Sequence, residues 1–129
     1  MISEFLHFLQ KKRSPGREIV FFAIKKYLET LNKEKKIFMV LSMMKNKEHK
    51  AFIQILKEKV HSITTLDIPN QTNFIKKEEL SKIARSCGIP SKTGNSIEEA
   101  LKNIASENEN AIILCIGSLY FCAEILNLN

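Results

Sequence analysis

Tryptophan is absent, and glycine, proline and cysteine number only four, three and three in 129 residues. So little glycine and proline excludes a collagenous or linker-like chain, and no low-complexity stretch interrupts the sequence. The cysteines, Cys87, Cys115 and Cys122, are odd in number and contain no C-x-x-C pair. That is the wrong inventory for a disulfide framework and suits a reducing compartment, where such thiols behave as small buried hydrophobes. The histidines His7, His49 and His61 are scattered, and none lies within helical spacing of a cysteine. Neither a zinc site nor a Cys-His nucleophile pair is expected. No apolar run approaches the roughly 20 residues that cross a bilayer. Residues 2–9 are apolar before the chain turns basic, the reverse of a secretory signal. The expectation is a cytoplasmic protein with no membrane partner.

What is present is an ordinary globular composition, 44% hydrophobic and 26% charged. A chain of this length buries roughly two-thirds of its unfolded surface, enough for a core without staples. One domain over residues 1–129 is expected. Lys plus Arg number 20 against 14 acidic residues, a net charge of +6. The excess favours polyanions in general. The basic residues are dispersed, however, as Lys11-Lys12-Arg13, residues 33–36, Lys45 and Lys47, and Lys76-Lys77. A solvated Lys-rich surface is the better reading, with a small basic nucleic-acid-binding domain as the alternative.

Two periodicities alternate along the chain. Residues 4–9 (EFLHFL) read as a short strand, and Val20, Ala23, Ile24, Tyr27, Leu28 and Leu31 place one apolar face on a helix over 17–31. Residues 37–41 (IFMVL) are too short for a helix and read as a strand covered on both sides. Residues 47–59 are helical, and 62–68 (SITTLDI) form a strand closing at Pro69-Asn70. Leu80, Ile83, Ala84 and Cys87 form a helical stripe, with Gly88 where a left-handed cap belongs. Residues 89–92 read as a short, weak strand. Ser96 and Glu99 are spaced as a capping box for a helix whose core face is Ile97, Ala100, Leu101 and Ile104. Residues 111–116 (AIILCI) are the clearest buried strand, and Gly117 turns the chain into an expected last helix over 118–126. Strand and helix alternating in this way imply a single α/β, Rossmann-like domain, a mostly parallel sheet with helices on both faces.

In such sheets ligands bind at the carboxyl ends of the strands. The loop after residue 9, Gln10-Lys11-Lys12-Arg13-Ser14-Pro15-Gly16, holds cations before a helix but lacks dinucleotide spacing. Residues 88–96 (GIPSKTGNS) carry the letters of a phosphate loop in the wrong order, and after a helix instead of a strand. Ser118 stands after Gly117, where its hydroxyl either caps the expected helix or meets a ligand. No histidine–acid pair accompanies it as a catalytic serine requires.

Three segments carry a family resemblance. Residues 39–48 (MVLSMMKNKE) resemble the V-x-G-M-M-K-D-K-D stretch of bacterial folylpolyglutamate synthases, many of which also act as dihydrofolate synthases. Residues 68–73 (IPNQTN) followed by Glu78-Glu79-Leu80 are similar to that family's I-P-x-x-x-N and E-E-L, and Gly117-Ser118-Leu119-Tyr120 with Ala123-Glu124 to G-S-L-Y-L-x-G-E. They fall in the family's order and spacing, and cover only the C-terminal domain of a Mur-ligase-type enzyme. The resemblance implies the Mur ligase C-terminal fold and, for the complete family, ATP-dependent amide formation. ATP phosphorylates a carboxylate and the amino group of glutamate attacks the acyl phosphate, with Mg²⁺ assisting. The phosphate cradle and metal ligands then come from a preceding central domain, and the C-terminal domain acts as a lid.

The resemblance also implies what has changed. The family's D-G-x-H-N-P falls on residues 10–15, so Gln10 stands for its Asp and Arg13 for its His, leaving a degraded nucleotide-facing motif. Ser42 replaces a glycine and Asn46 an aspartate, whereas Ser118 matches and carries the family's substrate-binding role near the glutamate acceptor. The expectation is a lid domain or remnant that is inactive alone, has no catalytic or metal-ligating residue, binds no cofactor by itself and depends on a separate catalytic chain. ATP, Mg²⁺, folate and glutamate belong to the complete enzyme.

Overall fold

The computed structural model describes residues 35–108, 110–116 and 121–127. The expected strand over 4–9, the helix over 17–31 and the Gln10–Arg13 region lie outside the described residues. Strand β1 (Lys36–Leu41) is followed by helix α1 (His49–Leu56), strand β2 (Ser62–Thr65), helix α2 (Lys77–Ser86), strand β3 (Ser91–Thr93), helix α3 (Ile97–Glu107) and strands β4 (Asn110–Ile116) and β5 (Phe121–Asn127). The sheet order is β3-β2-β1-β4-β5. The first four strands are parallel, and β5 runs antiparallel to β4.

The alternation of side chains along β1 and β4 divides the core into two layers. Ile37, Met39 and Leu41 join Ile112 and Leu114 on one face, against Phe52, Ile53 and Leu56 of α1 and Leu80 and Ala84 of α2. Phe38 and Val40 join Ala111, Ile113 and Cys115 on the other, against Ala100 and Ile104 of α3. Continuous apolar runs are the signature of strands covered on both faces, and here both runs are. The chain steps outwards from β1 through β2 to β3, then returns past β1 to β4. Right-handed crossovers running in opposite directions put their helices on opposite faces, which is why, among the described helices, only α3 packs on its side. β4 is an interior strand, as its composition predicts, and the Cys115 side chain is only 1% exposed.

Local signals account for the helix ends. Gly88 takes φ +88°, left-handed as expected. The Gly88 N–H donates to the Arg85 carbonyl at 3.0 Å and the Ile89 N–H to the Ala84 carbonyl at 3.1 Å, which makes a Schellman motif closing α2. At the start of α3 the Ser96 Oγ accepts the Glu99 N–H at 3.1 Å. The Glu99 carboxylate accepts from the Asn95 side-chain amide instead of completing the box.

One element differs from expectation. Residues 121–127 are a strand, not the second part of a helix over 118–126, so Cys122 lies in β5 and not on a helix face. The segment is apolar nearly all round, so its pattern carries neither period. Pairing it with β4 satisfies its backbone groups and covers what would otherwise be an apolar sheet edge. The four-residue connection 117–120 is of hairpin length.

Candidate functional site at the carboxyl end of the sheet

The point where the strand order reverses lies between β1 and β4, and ligands of open α/β sheets bind beyond the carboxyl ends of strands at such a point. Residues 42–48 leave β1 here, residues 66–76 leave β2, and residues 94–96 leave β3. These are the segments that the sequence singles out, and the fold joins them. Met44 and Phe74 form an antiparallel bridge. The Lys45 N–H donates to the Asn73 carbonyl at 3.0 Å and the Ile75 N–H to the Met43 carbonyl at 3.1 Å. The loop after β1 is thereby stitched to the loop before α2, although about 30 residues separate them in sequence. A third tie comes from the buried Ser42, whose N–H donates to the Ile116 carbonyl at 3.0 Å, directly before Gly117. His49 holds the first loop from below, its Nε2 donating to the Met44 carbonyl at 2.8 Å.

The second loop is held by groups that the sequence did not mark. Asp67 Oδ1 accepts the Lys77 N–H at 2.8 Å and so caps α2 from ten residues upstream. Thr65 Oγ1 donates to the Lys77 carbonyl at 2.7 Å. The Lys77 ammonium turns across to β3's loop, donating to the Gly94 carbonyl at 2.9 Å and to Asn95 Oδ1 at 3.3 Å. Gly94 stands at a close approach: a Cβ there would stand 3.0 Å from both Leu66 Cδ2 and Thr64 Cγ2. The letters resembling a phosphate loop are thus a helix cap at Gly88, the edge strand β3 and a tight packing contact at Gly94. None of them forms a cradle.

The electrostatics point the same way. A helix N-terminus attracts phosphate through its unpaired N–H groups and dipole. Asp67, Glu78 and Glu79 occupy that position on α2, and Ser96, Glu98 and Glu99 occupy it on α3. The carboxylates among them bring the protein's own negative charge to the two helix N-termini, beside Lys76 and Lys77 on α2. Among the described residues no group of three or more His, Cys, Asp or Glu is placed to hold a metal ion. Of the residues singled out from sequence, Gln10, Arg13 and Ser118 lie outside the described residues, although Ser118 falls in the connection between β4 and β5. The signals missed were Asp67, Lys77 and Gly94, because each acts through a partner that only the chain's path brings near.

This mostly parallel α/β sheet with helices on both faces is similar in fold to part of the solved folylpolyglutamate synthases. The solved Mycobacterium tuberculosis folylpolyglutamate synthase complexed with ADP superposes with a TM-score of 0.57 at 17% identity, over 67% of this chain and 20% of that one. For the Helicobacter pylori folylpolyglutamate synthetase the TM-score is 0.54 at 22% identity, over 76% of this chain and 23% of that one. This chain thus spans about a fifth of the length of those enzymes. Residues 21–128 match the family described as dihydrofolate synthetase, C-terminal domain, and the chain belongs to that family. No curated protein matches its sequence. Among the described residues no helix is long and apolar enough to cross a membrane.

Proposed function

We propose that residues 1–129 form a single lid domain of an ATP-dependent ligase that adds glutamate to folates, working with a catalytic domain that these residues do not include. The observation that carries the reading is the family match over residues 21–128, together with the meeting of the 39–48 and 68–80 segments at the carboxyl end of the sheet. ATP would supply the activating phosphoryl group, held by the catalytic domain. This chain's contribution is to shape one wall of the closed site, with Ser118 at the glutamate end and Gln10 and Arg13 in the nucleotide-facing positions. The stitched loops give that wall its rigidity. The carboxylates at the N-termini of α2 and α3 support a role in covering a nucleotide site instead of holding phosphates directly. The same acidic groups stand among the lysines of this end and favour the lid over a nucleic-acid-binding surface.

The test is an assay of the purified chain with ATP, Mg²⁺, a reduced folate and glutamate. We expect no ADP above a buffer blank from the chain alone, and ADP release on adding a folate ligase catalytic portion that lacks its own C-terminal domain. Turnover by the chain alone that disappears in a Ser118→Ala variant would overturn the lid reading. Silence in both assays would instead point to a remnant.

A further inference from the structure

Residues 66–76 cross the carboxyl end of the sheet with little packing along their middle. Ile68 and Ile75 are buried, but residues 69–73 between them are all exposed, and Asn70 takes a left-handed φ of +61°. The base of this excursion is fixed at one residue. Asp67 Oδ1 accepts the Lys77 N–H at 2.8 Å, and Thr65 Oγ1 donates to the Lys77 carbonyl at 2.7 Å. Lys76, in the N-cap position of α2, makes no side-chain cap bond, and the carboxylate of Asp67 meets the open helix start in its place. We infer that Asp67 is a positioning residue: by closing residues 67–77 at their base, its carboxylate sets where the 42–48 loop stands at the candidate site.

The link runs through the main chain. The first loop has two anchors of its own, the Ser42 N–H on the Ile116 carbonyl at 3.0 Å and His49 Nε2 on the Met44 carbonyl at 2.8 Å. Its exposed middle depends on the second loop. The Lys45 N–H donates to the Asn73 carbonyl at 3.0 Å, and the Met43 carbonyl accepts the Ile75 N–H at 3.1 Å. Asn73 and Ile75 both belong to the segment that Asp67 closes, so loosening its base also loosens the partners of Lys45 and Met43. A helix start capped by its own N-cap residue would leave the two loops independent. What this means for a closed ligase site rests on the lid reading; the coupling of the loops does not.

Amide hydrogen exchange of the whole chain, followed residue by residue by NMR, tests the coupling without a ligand. In Asp67→Ala the Lys45 and Ile75 amides should exchange about fivefold faster, the factor expected when local opening no longer breaks a capping bond. The Gly88 amide, at the far end of α2, should keep its rate. Asp67→Asn retains an acceptor oxygen and should restore both amides. Lys77→Pro removes the donor instead. The first helical position tolerates proline, and Lys76 already has the extended backbone, φ −63° and ψ 143°, that proline demands of its predecessor. That variant should reproduce the Asp67→Ala pattern, and carries the test if Asp67→Ala does not fold. Lys77→Met, which removes only the ammonium, should leave Lys45 at its original rate. An unchanged Lys45 amide in both Asp67→Ala and Lys77→Pro, or an acceleration shared equally by Gly88, would overturn the inference.

Discussion

Gly94 packs closely against the candidate site's second loop, and adding one methyl group there tests the packing directly. Its N–H donates to the Thr65 carbonyl at 2.9 Å and its carbonyl accepts from Lys77 at 2.9 Å, so the backbone is held on both sides. The new Cβ in Gly94→Ala would meet Leu66 Cδ2 and Thr64 Cγ2 at 3.0 Å each. Comfortable carbon–carbon contacts are about 3.5–4.0 Å, and both neighbours are only 4% exposed. Overpacking of this kind costs about 1–3 kcal/mol. The reduced freedom of the unfolded chain returns about 0.4–1 kcal/mol. The net loss should be about 1–2 kcal/mol, or roughly 3–8 °C in melting temperature for a domain of this size. Urea unfolding followed by circular dichroism should show a lower midpoint at unchanged slope. A double-mutant cycle identifies the cause. Thr64→Ser removes one of the two opposing methyls and alone costs about 0.8 kcal/mol or slightly more. In the Gly94→Ala background it should cost less than half of that, because it relieves the clash, giving a coupling of about 0.5 kcal/mol or greater. A neutral or stabilising Gly94→Ala, or a cycle additive within about 0.3 kcal/mol, would refute the packing argument.

Ser96→Ala should cost about 1 kcal/mol by removing the acceptor of the Glu99 N–H, while Ser96→Asp should leave stability nearly unchanged; chemical denaturation measures both. Leu114→Ala, at a fully buried position of β4, should cost about 2–5 kcal/mol, and a loss below about 1 kcal/mol would show the core layer to be misassigned. Millimolar MgATP at physiological salt should leave the melting temperature of the isolated chain unchanged. A ligand at a hundredfold excess over its dissociation constant would stabilise by about 2.7 kcal/mol, which a thermal scan detects. A shift with MgATP but not with tripolyphosphate would show that the chain itself holds a specific nucleotide site despite Gln10 and Arg13.

Much of the architecture is legible in the sequence because it rests on local physics. The runs over 37–41 and 111–116 are apolar on both periods and short, so only strands covered on two faces can hide them. Leu80, Ile83 and Ala84 lie one helical turn apart, Gly88 accepts the left-handed backbone that ends α2, and Ser96 offers a cap to α3 whatever surrounds it. The three motif segments could likewise be recognised as belonging together, since the resemblance depends on order and spacing along the chain. Residues 121–127 could not be read correctly. Their side chains are compatible with either period, and the choice fell to the open edge of β4, a partner that exists only once the sheet is assembled. Asp67 became the cap of α2 because β2 ends beside that helix, and Gly94 became a tightly packed position because its loop passes over Thr64 and Leu66. Sequence alone determined what could be decided within one or two turns of chain. Tertiary structure decided every contact whose partner arrives from another strand, because such contacts depend on register and path, which neighbouring residues do not encode.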